Sequence, residues 1–227
     1  MENSSSCFII LPGFSPDNIP VLRLKELLEE KGFSAIATNF YGNTSVEDFS
    51  LLSIEDCQKN IADLINSAKK KYKNVFGVGI SLGAALLLEY AKKENGLDAI
   101  VSIGSPFKLK NKKKILVARK ILPLIIPVWK KLVKIKKLRL IPLGFGEEMV
   151  TFLEGDFIKD VEKIKTPVLF IHSKKDWVTY HKDAKKYAQK FPNKKNKFIY
   201  FDNGGHVING NSGKVVGYIL EFLATLK

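Results

Sequence analysis

Apolar residues in this chain fall into short unbroken runs that alternate with stretches of helical spacing. Cys7–Leu11 (CFIIL) is the first run, and it stops at Pro12-Gly13, a pair that turns the chain. Val21, Leu24, Leu27 and Leu28 then recur at helical intervals, which predicts a helix ended by Gly32. Ser34–Thr38 predicts a second strand, and Asn39–Ser50, rich in Asn, Gly, Ser and Thr, predicts a loop. Ser53 followed by Glu55 and Asp56 has the form of a helix start, and Ile54, Cys57, Ile61, Leu64, Ile65 and Ala68 continue it as one apolar stripe. Further strands are predicted at Asn74–Gly79, Leu97–Ile103, Pro167–His172 and Lys197–Phe201, and further helices at Leu82–Lys93, His181–Phe191 and Ser212–Leu226.

The strand runs are largely apolar and show no period-2 alternation, which points to strands covered on both faces. With strands and helices alternating, the expected fold class is α/β: a mostly parallel sheet of about six strands flanked by helices. A length of 227 residues suits one such domain, and 45% hydrophobic with 26% charged residues excludes a disordered or collagen-like chain.

Charge changes this picture in one place. The chain carries 37 basic and 23 acidic residues, a net +14. Thirteen of the basic residues lie between Lys108 and Arg139, and no Asp or Glu occurs from Ser105 to Gly146. The rest of the chain is close to neutral. This stretch interrupts the strand–helix alternation and is too apolar for a linker, so it is expected to be a helical cap (lid) inserted at residues 106–148, with residues 1–105 and 149–227 forming the core domain. Within it Ile115–Val128 holds Arg119, Lys120 and two prolines, which makes it too short and too charged to span a bilayer. Its apolar side is expected to close an acyl pocket, with its lysines either solvated or docked on an anionic membrane surface. Nucleic acid is not expected, because aliphatic residues rather than stacking aromatics are interleaved with the charges. Met1–Cys7 lacks the basic start of a signal peptide, and two cysteines make no disulfide framework, so a cytoplasmic location is expected.

Candidate chemistry begins at Gly79-Ile80-Ser81-Leu82-Gly83, a G-x-S-x-G placed where an apolar strand meets a helix-forming run. Serine needs a base to become a nucleophile, and the chain has only three histidines: His172, His181 and His206. His206 follows the last predicted strand and so falls at the same sheet edge as Ser81; His172 reads as structural and His181 as solvated. Asp176, on the loop after the preceding strand, is the expected partner of His206, with Asp202 too close in sequence to reach its far nitrogen. The order Ser81, Asp176, His206 matches the Ser…Asp…His order of hydrolytic triads on α/β folds. Oxyanion donors are expected from the backbone N–H of Leu82, at a helix N-terminus, and of Phe14, on the loop after the first strand.

Through Leu11-Pro12-Gly13-Phe14-Ser15, Gly79–Gly83, Asp176 and Gly205-His206-Val207-Ile208, the chain resembles the small bacterial carboxylesterases and monoacylglycerol lipases of the α/β-hydrolase superfamily. The resemblance implies an α/β-hydrolase fold and a serine esterase, soluble and with no cofactor or metal. It would act on small-molecule acyl esters or monoacylglycerols through an acyl-enzyme. Thioesterase or acyltransferase chemistry uses the same residues, and a non-catalytic lipid-binding protein of the same fold is the alternative of a different class.

Overall fold

The computed structural model describes residues 3–13, 19–38, 53–110, 143–155, 157–208 and 210–226. Strand β1 (Ser6–Leu11) is followed by helix α1 (Ile19–Glu29) and strand β2 (Ser34–Ala37). Helix α2 (Ile54–Lys69), strand β3 (Asn74–Ile80), helix α3 (Leu82–Lys93) and strand β4 (Ala99–Ile103) come next. Helix α4 (Leu143–Glu154), strand β5 (Val168–Ser173), helix α5 (His181–Ala188), strand β6 (Lys197–Phe201) and helix α6 (Ser212–Ala224) complete the series.

Local chemistry fixes the element ends. After α1, Gly32 takes φ +83°, and its N–H and that of Phe33 bond back to the carbonyls of Glu29 (2.8 Å) and Leu28 (3.2 Å). That paired closure needs a left-handed residue, which glycine supplies without strain. At the start of α2, the Ser53 hydroxyl accepts from Asp56 N–H while the Asp56 carboxylate accepts from Ser53 N–H, a reciprocal capping box.

All six strands are parallel, in the order β2-β1-β3-β4-β5-β6. Alternate residues of one strand feed opposite cores. Phe8 and Ile10 pack with Val78, Val101 and Leu169 under α1 and α6, while Ile9 and Leu11 pack with Ile100 and Phe170 under α2 to α5. This double coverage is why the strand sequences show no polar alternation.

Helix α4 was not foreseen. Gly144 and Gly146 obscure the sequence signal at its start. Met149, Val150, Phe152 and Leu153 are buried in the core, and the Glu148 carboxylate accepts the Ile54 N–H (2.9 Å) at the start of α2. The expected boundary between residues 148 and 149 therefore falls inside a continuous helix. Most of the expected cap, the expected loop at Asn39–Ser50 and the expected oxyanion residue Phe14 lie outside the described residues. No helix among the described residues is long and apolar enough to cross a membrane.

Strand order reverses at β1, which passes through α1 to β2 on one side and has β3 on the other. Such a switch point leaves a crevice beyond the carboxyl ends of the strands. The register Leu11↔Gly79 sets Pro12-Gly13 beside Ile80-Ser81 at that crevice.

Candidate active site

Ser81 lies in the turn between β3 and α3 at φ +51°, ψ −113°, a conformation rarely adopted by a side-chain-bearing residue. Its neighbours make the turn feasible. A Cβ on Gly79 would collide with the backbone of Ala84, and one on Gly83 would lie 2.5 Å from the Pro12 carbonyl oxygen. Gly83 N–H instead donates to that carbonyl (3.1 Å), and Ser81 N–H donates to Ile103 (2.8 Å), so the turn is tied to both adjacent strands. A Cβ on Gly13 would sit 3.3 Å from that of Ser81, so the loop after β1 runs directly over the serine.

His206 occupies the loop after β6, with its backbone carbonyl against Gly104 at the end of β4. Its Nε2 lies 2.8 Å from Ser81 Oγ and its Nδ1 lies 2.8 Å from Asp176 Oδ2. An ionised carboxylate only accepts, so the proton is on Nδ1 and Nε2 is the acceptor that faces the serine hydroxyl. Ser81, His206 and Asp176 thus form one hydrogen-bonded line reaching from the surface crevice into the interior.

Asp176 is buried, and burial by itself would push its carboxyl up. The hydrogen bond and charge of His206, with the backbone and hydroxyl of Thr179, outweigh that and hold it well below the usual carboxylate range. Its Oδ1 accepts from Val178 N–H (2.7 Å) and Thr179 N–H (2.9 Å), and its Oδ2 accepts from Thr179 Oγ1 (2.8 Å) as well as from His206.

The remaining candidates go elsewhere. His172 is fully buried on β5, stacked on Phe198, with Nδ1 3.8 Å from Asp176 Oδ2. Burial pushes its imidazole down to about 4 despite the Asp176 charge, so it stays neutral beside the carboxylate. His181 is half-buried, edge-on to Tyr200, rather than fully solvated. Asp202 is exposed and paired with Lys174 (2.7 Å). Burial also pushes the thiols of Cys7 and Cys57 up to about 11 and 12, which leaves them protonated and poor nucleophiles.

Leu82 is the first residue of α3, and no acceptor among the described residues takes its N–H. It lies where a helix N-terminus favours negative charge. A groove of about 560 Å³ opens between α4 and α5 beside Phe107 and Tyr187, but none of Ser81, Asp176 and His206 lines it. No group of three or more His, Cys, Asp or Glu among the described residues is arranged to hold a metal ion.

Sequence reading missed two supports of the acid. Thr179 was legible in principle, since an Asp that accepts from the N–H groups two and three residues ahead is a common turn. Lys110, whose ammonium donates to the Asp176 backbone carbonyl, had no sequence signal, because the two lie 66 residues apart.

Residues 53–210, which hold all three members of the hydrogen-bonded line, match the BAAT / acyl-CoA thioester hydrolase C-terminal family. The chain belongs to that family. Among solved structures it is similar to one from a study of the metagenome-derived lipolytic enzymes LipS and LipT, at TM-score 0.79 and 14% identity, covering 98% of this chain and 95% of the other. A monoacylglycerol lipase of Paleococcus ferrophilus gives TM-score 0.73 at 19% identity, with 97% and 95% covered. A soluble variant of monoglyceride lipase from Saccharomyces cerevisiae gives 0.74 at 13%, with 100% and 88% covered. No curated protein matches the chain. The family match and the structural likeness together give this chain an α/β-hydrolase fold within a hydrolase family.

Proposed function

We propose that this hydrolase cleaves carboxylic esters, short- to medium-chain acyl esters or monoacylglycerols, with Ser81 as nucleophile, His206 as general base and Asp176 as its orienting acid. The observation that carries the reading is the unbroken pair of 2.8 Å bonds from Ser81 Oγ through His206 to Asp176 Oδ2. Ser81 Oγ attacks the ester carbonyl carbon as its proton passes to His206 Nε2, and Asp176 stabilises the imidazolium without taking the proton. The oxyanion is received by Leu82 N–H and, on this reading, Phe14 N–H. His206 then protonates the departing alcohol. Water, deprotonated by the same nitrogen, attacks the acyl-enzyme and releases the acid, which restores Ser81.

A thioester is the second reading, and the family match favours it specifically. The same steps apply with a thiolate as leaving group, and an alcohol in place of water would make the reaction an acyl transfer. The basic run Lys108–Arg139 is read as an inserted cap that meets an anionic lipid surface. Free, buried Cys7 and Cys57 fit a reducing compartment, and we place the enzyme in the cytoplasm.

The test is labelling of purified protein with a fluorophosphonate probe, alongside turnover of p-nitrophenyl butyrate and of an acyl-CoA. Wild type is expected to label and to hydrolyse at least one substrate. Ser81→Ala is expected to do neither, with loss of several orders of magnitude in kcat and an unchanged circular dichroism spectrum. A folded Ser81→Ala protein that keeps most of the activity overturns the assignment.

A further inference from the structure

We infer that Lys110 is a positioning residue for Asp176, acting with the bridged segment Lys108–Lys110 that clamps the acid-bearing turn. The inference rests on the role proposed above for Asp176.

The turn between β5 and α5 carries Asp176 at its apex. On its near side it is closed by the bond from Asp176 N–H to Ser173 (3.2 Å). Its far limb, Val178–Tyr180, is held by a segment distant in sequence. Leu109 and Thr179 form an antiparallel bridge, Lys110 N–H donates to Val178 (2.7 Å), and Tyr180 N–H donates to Lys108 (3.2 Å). Thr179, fully buried in this bridge, supplies two of the donors to the Asp176 carboxylate.

Lys110 closes the remaining gap. Its side chain turns back from the bridge, and the ammonium donates to the backbone carbonyl of Asp176 itself, with the Tyr180 ring 5.3 Å away. A lysine of a merely solvated basic run would keep its ammonium in water. This one is half-buried and aimed at a neutral acceptor that has no other partner among the described residues. A charge-assisted bond of this kind is about twice as strong as a neutral one. It fixes the peptide plane at 176, and rotation of that plane would carry the carboxylate out of line with His206 Nδ1. Misplacement on the 1 Å scale is enough to cost turnover heavily.

The test compares wild type with Lys110→Met, Lys110→Arg and Lys182→Met, the last removing the same charge from an exposed position on α5. The first readout is the downfield proton resonance of the His206 Nδ1–H···Asp176 hydrogen bond, which is independent of turnover. It is expected to broaden or shift in Lys110→Met, to return in Lys110→Arg and to be unmoved in Lys182→Met. The second is ester hydrolysis. Lys110→Met is expected to lower kcat about tenfold with KM within about twofold, and on an Asp176→Asn background the same substitution should cost almost nothing. An unaltered resonance in Lys110→Met overturns the inference, as does a loss that persists in full on the Asp176→Asn background. If wild type hydrolyses no ester but the resonance responds to Lys110→Met, the ester reading fails and the positioning role stands.

Discussion

His172 and Asp176 stand 3.8 Å apart in the interior, and each makes the fold sensitive to acid in its own pH window. The His172 imidazole titrates at 6.5 when free and at about 4 in the fold, so between those values the unfolded chain binds a proton that the folded chain refuses. This contribution to stability is complete above pH 6.5 and declines as pH falls toward 4. Asp176 is held below its free value of 3.8, so its contribution is present above that value and is lost only at lower pH. Urea unfolding of wild type should therefore weaken from pH 7 to 4.5, and His172→Phe, which keeps the stack on Phe198, should flatten that slope. An equal slope in both proteins would assign it to other groups. At this scale the sequence could bring Ser81, His206 and Asp176 to one sheet edge, because each follows a strand. It did not disclose Thr179 and Lys110, whose roles depend on a bridge between segments far apart in the chain.

Elements were legible wherever apolar runs met a clear stop. β6 and α3 coincide with their expected spans, and β4 begins two residues later than expected, because Asp98 is used to accept the Val75 N–H (2.7 Å). Helix α4 was hidden because its evidence is tertiary: the Glu148 contact with α2 and four buried apolar residues, rather than a clean sequence start. Glycines separate two kinds of element constraint. Gly83→Ala would press a methyl group against the Leu11 and Pro12 carbonyls, backbone that cannot yield, and should destabilise the fold by about 1–3 kcal/mol. Gly217, exposed within α6 with open space around it, should gain about 1 kcal/mol on replacement by Ala, through helix propensity alone. Thermal melts of the two variants check both signs.

For the whole molecule, fold class and sheet followed from alternation and unbroken apolar runs, while the sequence could state the charge of the basic segment but not its shape. Concentrating thirteen basic residues in one segment makes any surface binding a salt-dependent property. Vesicles with anionic lipid should co-sediment the protein at low salt and release it at high salt, and zwitterionic vesicles should not bind it. Replacing Lys130, Lys131, Lys134, Lys136 and Lys137 by Gln should abolish the difference. Absence of binding to either vesicle type, with soluble esters still turned over, would leave those lysines with no membrane role. The parallel order of the sheet also has a temporal consequence. The Ser81–His206 bond joins residues 125 positions apart, and its histidine hangs from β6, the last strand to be made and an edge of the sheet. Contacts of such long range close late in folding. A refolding chain should thus recover its helical circular dichroism before it reacts with a fluorophosphonate: until β6 docks on β5, Ser81 has no base, and the half-made protein is chemically silent.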